Sequence, residues 1–181
     1  MPKISIPEFK YFVEWGPKLP NGAFSEYDME AIYPALMGLG KGSVYLEVGV
    51  RHGRSLAWAR HFSKGDVYGI DINHEITLDH PMLRKVNFIH AASNDAVKNW
   101  TPPIDVLFID GDHTYEGVKD DWKNFSPFVK KGGVVYFHDC DITSPGVVQL
   151  FGEINKGWKN KTLWIDEMDG RKTSMSSITK L

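Results

Sequence analysis

Two short stretches concentrate the side chains able to hold a metal ion or move a proton. Phe108-Ile109-Asp110-Gly111-Asp112-His113-Thr114-Tyr115 sets two carboxylates and an imidazole directly after an apolar run. Val134-Val135-Tyr136-Phe137-His138-Asp139 ends a second apolar run in a His-Asp pair. Oxygen donors with an imidazole suit a hard or borderline divalent ion such as Mg²⁺ or Mn²⁺. The single cysteine, Cys140, excludes a cysteine-rich structural zinc site. An imidazole with an ordinary pKa of about 6.5 takes a hydroxyl proton near neutral pH, which makes His113 a candidate general base. The competing reading is structural: Asp110 caps a turn, His113 lies on the surface and His138-Asp139 opens a loop. Two such clusters at adjacent strand ends weigh against it.

A third constellation precedes these. Val44-Tyr45-Leu46-Glu47-Val48-Gly49-Val50-Arg51-His52-Gly53-Arg54-Ser55 reads as strand, glycine-bearing loop and helix start. Gly49 is free to take backbone conformations closed to other residues, and Gly53 lets a ligand come close to the main chain. Asp71 ends Tyr68-Gly69-Ile70-Asp71. A carboxylate at the tip of a second strand is placed to accept both ribose hydroxyls of a nucleoside. A dinucleotide loop reads Gly-x-Gly-x-x-Gly and seats a pyrophosphate on a helix N-terminus. Here Val50, Arg51 and His52 fill that interval, and Glu47 adds an anion beside the loop. That combination disfavours a pyrophosphate and favours a cationic ligand, such as a sulfonium bearing an α-ammonium group. The plainer alternative is a tight turn at Gly49 and Gly53, with Asp71 capping the next helix.

These residues need strands to deliver them. Val44–Val48, Val67–Ile70, Val86–Ile89, Ile104–Ile109 and Val134–Phe137 are continuous apolar runs, as expected of strands buried on both faces. Between them Arg54–Phe62, Ile76–Arg84, Asn94–Trp100 and Tyr115–Val129 read as helices. The alternation predicts an α/β fold, a Rossmann-like doubly wound, mostly parallel sheet. Leu150–Trp158 reads as a further helix, and Thr162–Ile165 with Met175–Thr179 as a C-terminal antiparallel hairpin turning at Asp169–Gly170. Residues 1–40 differ: prolines and glycines break an aromatic-rich arm before a helix over Ser25–Gly38. Ser25 is the candidate cap, and Asp28 stands where a capping box prefers Glu or Gln. The expected division is 1–40 as arm and helix, serving as lid or oligomer contact, and 41–181 as the cofactor-binding domain.

Composition bounds the partners. A chain of 181 residues, 42% hydrophobic and 24% charged, makes one domain with a sizeable core. The formal net charge of −2 leaves no electrostatic footprint for nucleic acid or an anionic membrane. No apolar run reaches about 18 residues. Met1–Lys10 lacks the apolar core of a secretory signal, and the single cysteine favours a reducing compartment, so the expected location is cytoplasmic.

Glu47-x-Gly49-x-x-x-Gly53 with Asp71 resembles the class I S-adenosylmethionine-dependent methyltransferases. The resemblance implies that the Gly49–Gly53 loop cradles the methionine end of the cofactor, with Glu47 in its polar network. It implies ribose binding by Asp71 and an adenine contact at Ser93 or Ala92, and Ser55 and Asp110 join the cofactor-binding set. The stretch from Asp110 to Tyr115 resembles a subfamily carrying Asp-Gly-x-His-x-Tyr at the fourth strand, which includes small-molecule and sugar O-methyltransferases. The resemblance spans Ser43–Ile154. It implies that Asp110 and Asp139 ligate a metal, with His138 as a further ligand where some relatives have a carboxylate, and that His113 is the base.

The expected function is therefore an S-adenosylmethionine-dependent O-methylation of a small hydroxylated molecule, assisted by Mg²⁺ or Mn²⁺. The expected partners are that methyl acceptor and a second copy of the chain through the N-terminal arm, not nucleic acid or membrane. Two other classes fit the same sheet. One is a cofactor-binding module that is regulatory rather than catalytic. The other is a nucleotide-dependent oxidoreductase, which Glu47 and the missing middle glycine disfavour.

Overall fold

The computed structural model describes residues 24–73, 76, 80–168 and 171–181. α1 (Glu26–Gly38) leads to β1 (Val44–Val48), α2 (Arg54–Phe62), β2 (Asp66–Asp71), β3 (Asn87–His90), the one-turn α3 (Ser93–Ala96) and β4 (Ile104–Ile109). α4 (Tyr115–Phe125), β5 (Val129–His138), α5 (Pro145–Glu153), β6 (Trp158–Met168) and β7 (Arg171–Lys180) follow.

β1 is buried at all five positions, and its side chains alternate between the two faces of the sheet. Val44, Leu46 and Val48 enter a core with Val118 and Phe125 of α4 and Val147 and Leu150 of α5. Tyr45 enters the opposite core, with Met29, Ile32 and Leu36 of α1 and Leu56 and Trp58 of α2. Each such side chain contributes roughly 1.5–3 kcal/mol by leaving water. Glu47, one alternation from Tyr45, is therefore carried into the interior on the α1–α2 side.

The seven strands lie in the order β3-β2-β1-β4-β5-β7-β6. β1 pairs in parallel with β2 and β4, β2 with β3, and β4 with β5. β7 inserts antiparallel between β5 and β6. This is the Rossmann-like sheet with an antiparallel C-terminal strand pair that the alternation predicts. The strands of that pair are longer than predicted, reaching back to Trp158 and Arg171.

Several helix assignments shift. The helix expected over 150–158 is α5, Pro145–Glu153, and Trp158 opens β6 instead. Pro145 loses no hydrogen bond in a first helical turn and fixes the helix start, while Gly157, at φ +85°, turns the chain into β6. The helix expected over 94–100 is α3 followed by a 3₁₀ turn at Val97–Asn99. Of the helix expected over 76–84, the described part holds a 3₁₀ turn at Pro81–Leu83, with Met82 N–H donating to Nδ1 of His80. Residues 77–79, the arm before Phe24 and the Asp169–Gly170 turn lie outside the described residues. Among the described residues no helix is long and apolar enough to cross a membrane.

Candidate active site

The strand order reverses between β1 and β4, and open α/β sheets bind ligands beyond the carboxyl ends of the strands at such a reversal. A cavity of about 810 Å³ opens there, bordered by Gly49, Asp71, Ser93, Asp110, His113 and Asp139. Gly49 donates its N–H to the Ile70 carbonyl at 2.9 Å and sits at φ +89°. A Cβ on it would overlap the Asp110 carbonyl, so glycine alone lets the β1 and β4 loops meet. Gly53, at φ +85°, caps α2 against the side chains of Ile76 and Leu83.

Asp71 ties this loop down. Its Oδ2 accepts the N–H groups of Val50 (2.8 Å) and Arg51 (2.6 Å), and its Oδ1 accepts that of Asn73 (2.7 Å). A carboxylate offers about four acceptor positions, so the residue expected to bind ribose also positions the loop. Glu47 is fully buried and accepts hydrogen bonds from the hydroxyls of Ser55 (2.5 Å) and Tyr45 (2.9 Å). Burial pushes its carboxyl up to about 8 despite those hydroxyls. At neutral pH Glu47 is thus mostly protonated. The anion expected beside the loop is a buried polar post instead, and Ser55 acts through it.

The β4 and β5 ends bring the second set together. Nε2 of His113 lies 3.5 Å from Asp110 Oδ1 and 3.4 Å from Asp139 Oδ2. Nδ1 of His138 lies 3.2 Å from each of the same two oxygens. On the other side of the ring, Nε2 of His138 is 3.4 Å from Asp28 Oδ2. These three ring nitrogens are buried and lack aligned hydrogen bonds. Burial disfavours the Asp110 charge, yet His138 and His113 outweigh it and hold its carboxyl below the usual range. The Asp110 carboxylate lifts His113 above its ordinary value against the opposing effect of burial. At His138 burial works against the imidazolium, and Asp110, Asp139 and Asp28 overcome it. Asp139 adopts φ +51°, a left-handed backbone that is uncommon outside glycine and clusters at functional sites.

This donor set fits a divalent ion. One ligand atom each from Asp110, His113 and Asp139 lies within 4.8 Å of the others. Donors sharing one ion at about 2.1 Å stand roughly 3 Å apart, close to the separations found here. Nδ1 of His138 adds a fourth donor. The Asp28 carboxylate at its other nitrogen is the partner a metal-binding imidazole commonly has.

Sequence reasoning did not single out Asp28 beyond its place in the cap. Its Oδ2 accepts both the N–H and the hydroxyl of Ser25 at 2.6 Å, so the capping box of α1 and the support of His138 are one carboxylate. The only signal was an Asp where Glu or Gln is usual. Asp121 was missed too: it is buried on α4 and faces the cavity beside Ser93. Tyr115, by contrast, is engaged in packing, its hydroxyl donating to Glu153 of α5 at 2.7 Å and accepting from Lys119.

The methyltransferase-domain family matches residues 46–140, just over half of the chain. The chain belongs to this family. The methyltransferase expected from the sequence is borne out at the level of this family. An uncharacterized protein of Acanthamoeba polyphaga mimivirus is 50% identical over 60 residues, covering 30% of this chain and 27% of the viral one. The chain thus spans about a quarter of the length of that curated relative. Among solved structures, an rRNA methylase from Streptococcus thermophilus superposes with a TM-score of 0.72 at 13% identity, covering 88% of this chain and 99% of its own. An O-methyltransferase from Bacillus cereus, in complex with SAH, gives 0.68 at 16% identity over 99% and 93%. An S-adenosylmethionine-dependent O-methyltransferase from Thermotoga maritima gives 0.68 at 14% identity over 93% and 71%. At these identities the likeness is one of fold.

Proposed function

We propose that the methyltransferase acts on a hydroxyl oxygen of a small molecule, with S-adenosylmethionine in the cavity and a divalent ion at the β4–β5 end. The observation that carries this reading is the convergence of Asp110, His113, His138 and Asp139 at the end of the crevice away from Asp71. Besides Asp110 and Asp139, five carboxylates border the cavity (Asp71, Asp112, Glu116, Asp120 and Asp121), against two arginines, Arg51 and Arg54. Such a lining repels a pyrophosphate and weighs against a nucleotide-dependent oxidoreductase. A second cleft of about 780 Å³ shares Gly111–Thr114 with the first and continues past Thr143, Ser144 and Gln149. Its hydroxyl and amide lining suits a small polar acceptor reaching His113 from that side. The net charge of −2 supports a small molecule over a nucleic acid, although an rRNA methylase shares the fold.

Bound S-adenosylmethionine supplies a methyl group on a sulfonium sulfur, and a bound Mg²⁺ or Mn²⁺ acidifies and orients a hydroxyl. Asp110, Asp139 and Nδ1 of His138 would hold the ion, with Asp28 fixing the His138 ring. The glycine loop and Asp71 would hold the methionine and nucleoside portions of that cofactor. His113, the more exposed of the two imidazoles, then stays off the ion and takes the hydroxyl proton on Nε2, next to the Asp110 and Asp139 carboxylates.

The test is transfer of labelled methyl from S-adenosylmethionine across a panel of hydroxyl compounds, alongside calorimetry with S-adenosylhomocysteine. Transfer is expected, lost on chelation, restored by Mn²⁺ and absent in Asp139→Ala. Transfer that survives both chelator and Asp139→Ala removes the metal. Failure to bind S-adenosylhomocysteine removes the cofactor reading.

A further inference from the structure

The start of α1 lies against the end of β5, and two side chains there, Phe24 and Asp28, meet the ring of His138. Asp28 is only 2% exposed, although a capping carboxylate works equally well at a surface. Its Oδ2 accepts the Ser25 N–H and hydroxyl at 2.6 Å each and faces Nε2 of His138 at 3.4 Å. Ser25 Oγ in turn accepts the Asp28 N–H at 3.3 Å, so the two side chains hold each other in one arrangement. Phe24 stacks on the His138 ring, 6.1 Å between centroids and 26° between planes, and Phe108 meets that ring at 89° and 5.9 Å. The two phenyl rings limit the tilt of the imidazole, and Asp28 sets which way Nδ1 points.

A buried carboxylate costs free energy unless donors surround it. Capping a helix does not require that burial, whereas aiming a buried imidazole does. A capping box also prefers Glu, whose extra methylene would carry the carboxylate away from the position that Asp28 holds beside Nε2. We propose that Ser25 is a positioning residue for the metal ligand His138, so that ion affinity at the β4–β5 end depends on the N-cap of α1. Ser25 fixes Asp28, and Asp28 fixes the ring. This rests on the divalent-ion reading above and adds a residue that acts on the ion only through two others. With an ion on Nδ1, the neutral ring carries its single proton on Nε2, where Asp28 is the acceptor. Without the Ser25 hydroxyl, Asp28 is free to leave that rotamer, and the ring loses the partner that orders it. Such coupling is reciprocal, so an occupied ion site also steadies the first turn of α1.

The experiment is titration of the full chain with Mn²⁺ at pH 7.5, free ion being read by electron paramagnetic resonance, with S-adenosylhomocysteine affinity measured in parallel. Asp28→Glu, which retains a capping pair, is expected to bind Mn²⁺ at least about tenfold more weakly. Ser25→Ala should lose about three- to tenfold, and Ser25→Thr, which keeps the hydroxyl, should stay within about twofold of wild type. S-Adenosylhomocysteine affinity should change by less than about twofold in all three. In the wild-type chain Mn²⁺ is also expected to slow hydrogen exchange at the Asp28 and Met29 amides, which bond to Ser25, by at least about threefold. Unchanged Mn²⁺ affinity in Ser25→Ala and Asp28→Glu overturns the assignment while leaving the ion reading intact. Equal losses of Mn²⁺ and S-adenosylhomocysteine make Ser25 a residue of the fold alone and overturn it too. If neither variant folds, the exchange measurement decides, and amides indifferent to Mn²⁺ overturn it. Failure of the wild-type chain to bind Mn²⁺ overturns the ion reading and this inference with it.

Discussion

At the β1–β2 end of the crevice, Asp71 accepts three backbone N–H groups and Glu47 two hydroxyls, and the Gly49 N–H is bonded to Ile70. At the β4–β5 end, each of two imidazoles lies within 3.5 Å of both of two carboxylates, and three ring nitrogens have no aligned hydrogen bond. The first end is complete as folded and holds its shape for a ligand. The second gathers charge that a ligand must organise. Binding and reaction are thus divided between a satisfied scaffold and an unsatisfied cluster, and substitutions should separate them.

The largest effect falls on the satisfied end. Gly49→Ala puts a methyl group into the Asp110 carbonyl at a positive φ, and S-adenosylhomocysteine affinity should drop by at least about 1,000-fold with a lowered melting temperature. Near-normal affinity would show that the β1 and β4 loops tolerate separation and that the scaffold is not rigid. A middle-sized effect tests the other end. Asp28→Asn should weaken Mn²⁺ binding about 10- to 100-fold while S-adenosylhomocysteine affinity changes by less than about threefold. Equal losses of both ligands would erase the division between the two ends.

The smallest effect is read as pH dependence. Glu47 titrates near 8 folded against 4.5 as an ordinary glutamate, so the folded chain keeps a proton that the unfolded chain gives up across that window. Its contribution to stability is therefore complete below about pH 4.5 and is lost as pH rises toward 8, by no more than about 1.4 kcal/mol per pH unit. Glu47→Gln should flatten that part of the slope in urea midpoints measured from pH 5 to 8. An unchanged slope would mean that Glu47 is ionised where it sits.

The sheet was legible because its strands carry their own signal. β1 and β4 fall on the residues of their apolar runs, since burial on both faces leaves each strand apolar but for one acidic residue, Glu47 in β1 and Asp105 in β4. Asp71, Asp110, His113, His138 and Asp139 could be placed together because each follows a strand whose end the apolar run defines. Asp28 and Asp121 could not, because both sit on helices whose rotation against the sheet sets which face meets the crevice. The start of α5 was misplaced because Leu150 and Phe151 suggested a helix that Pro145 had already begun. Glu47 was legible in position but not in charge, since a pKa depends on what encloses the group.

The antiparallel insertion of β7 sets an order of assembly during synthesis. Among the described residues, the outer edge of β5, including His138 opposite Met175, is covered by β7 alone. A nascent chain that has emerged as far as α4 already contains every strand of the β1–β4 crevice, whereas β5 still waits for the segment through Lys180. Until then β5 presents an open edge, the kind of surface that pairs with other chains. Growing from its N-terminal side, the molecule gains a place for a nucleoside before it can finish the strand that carries the reacting groups.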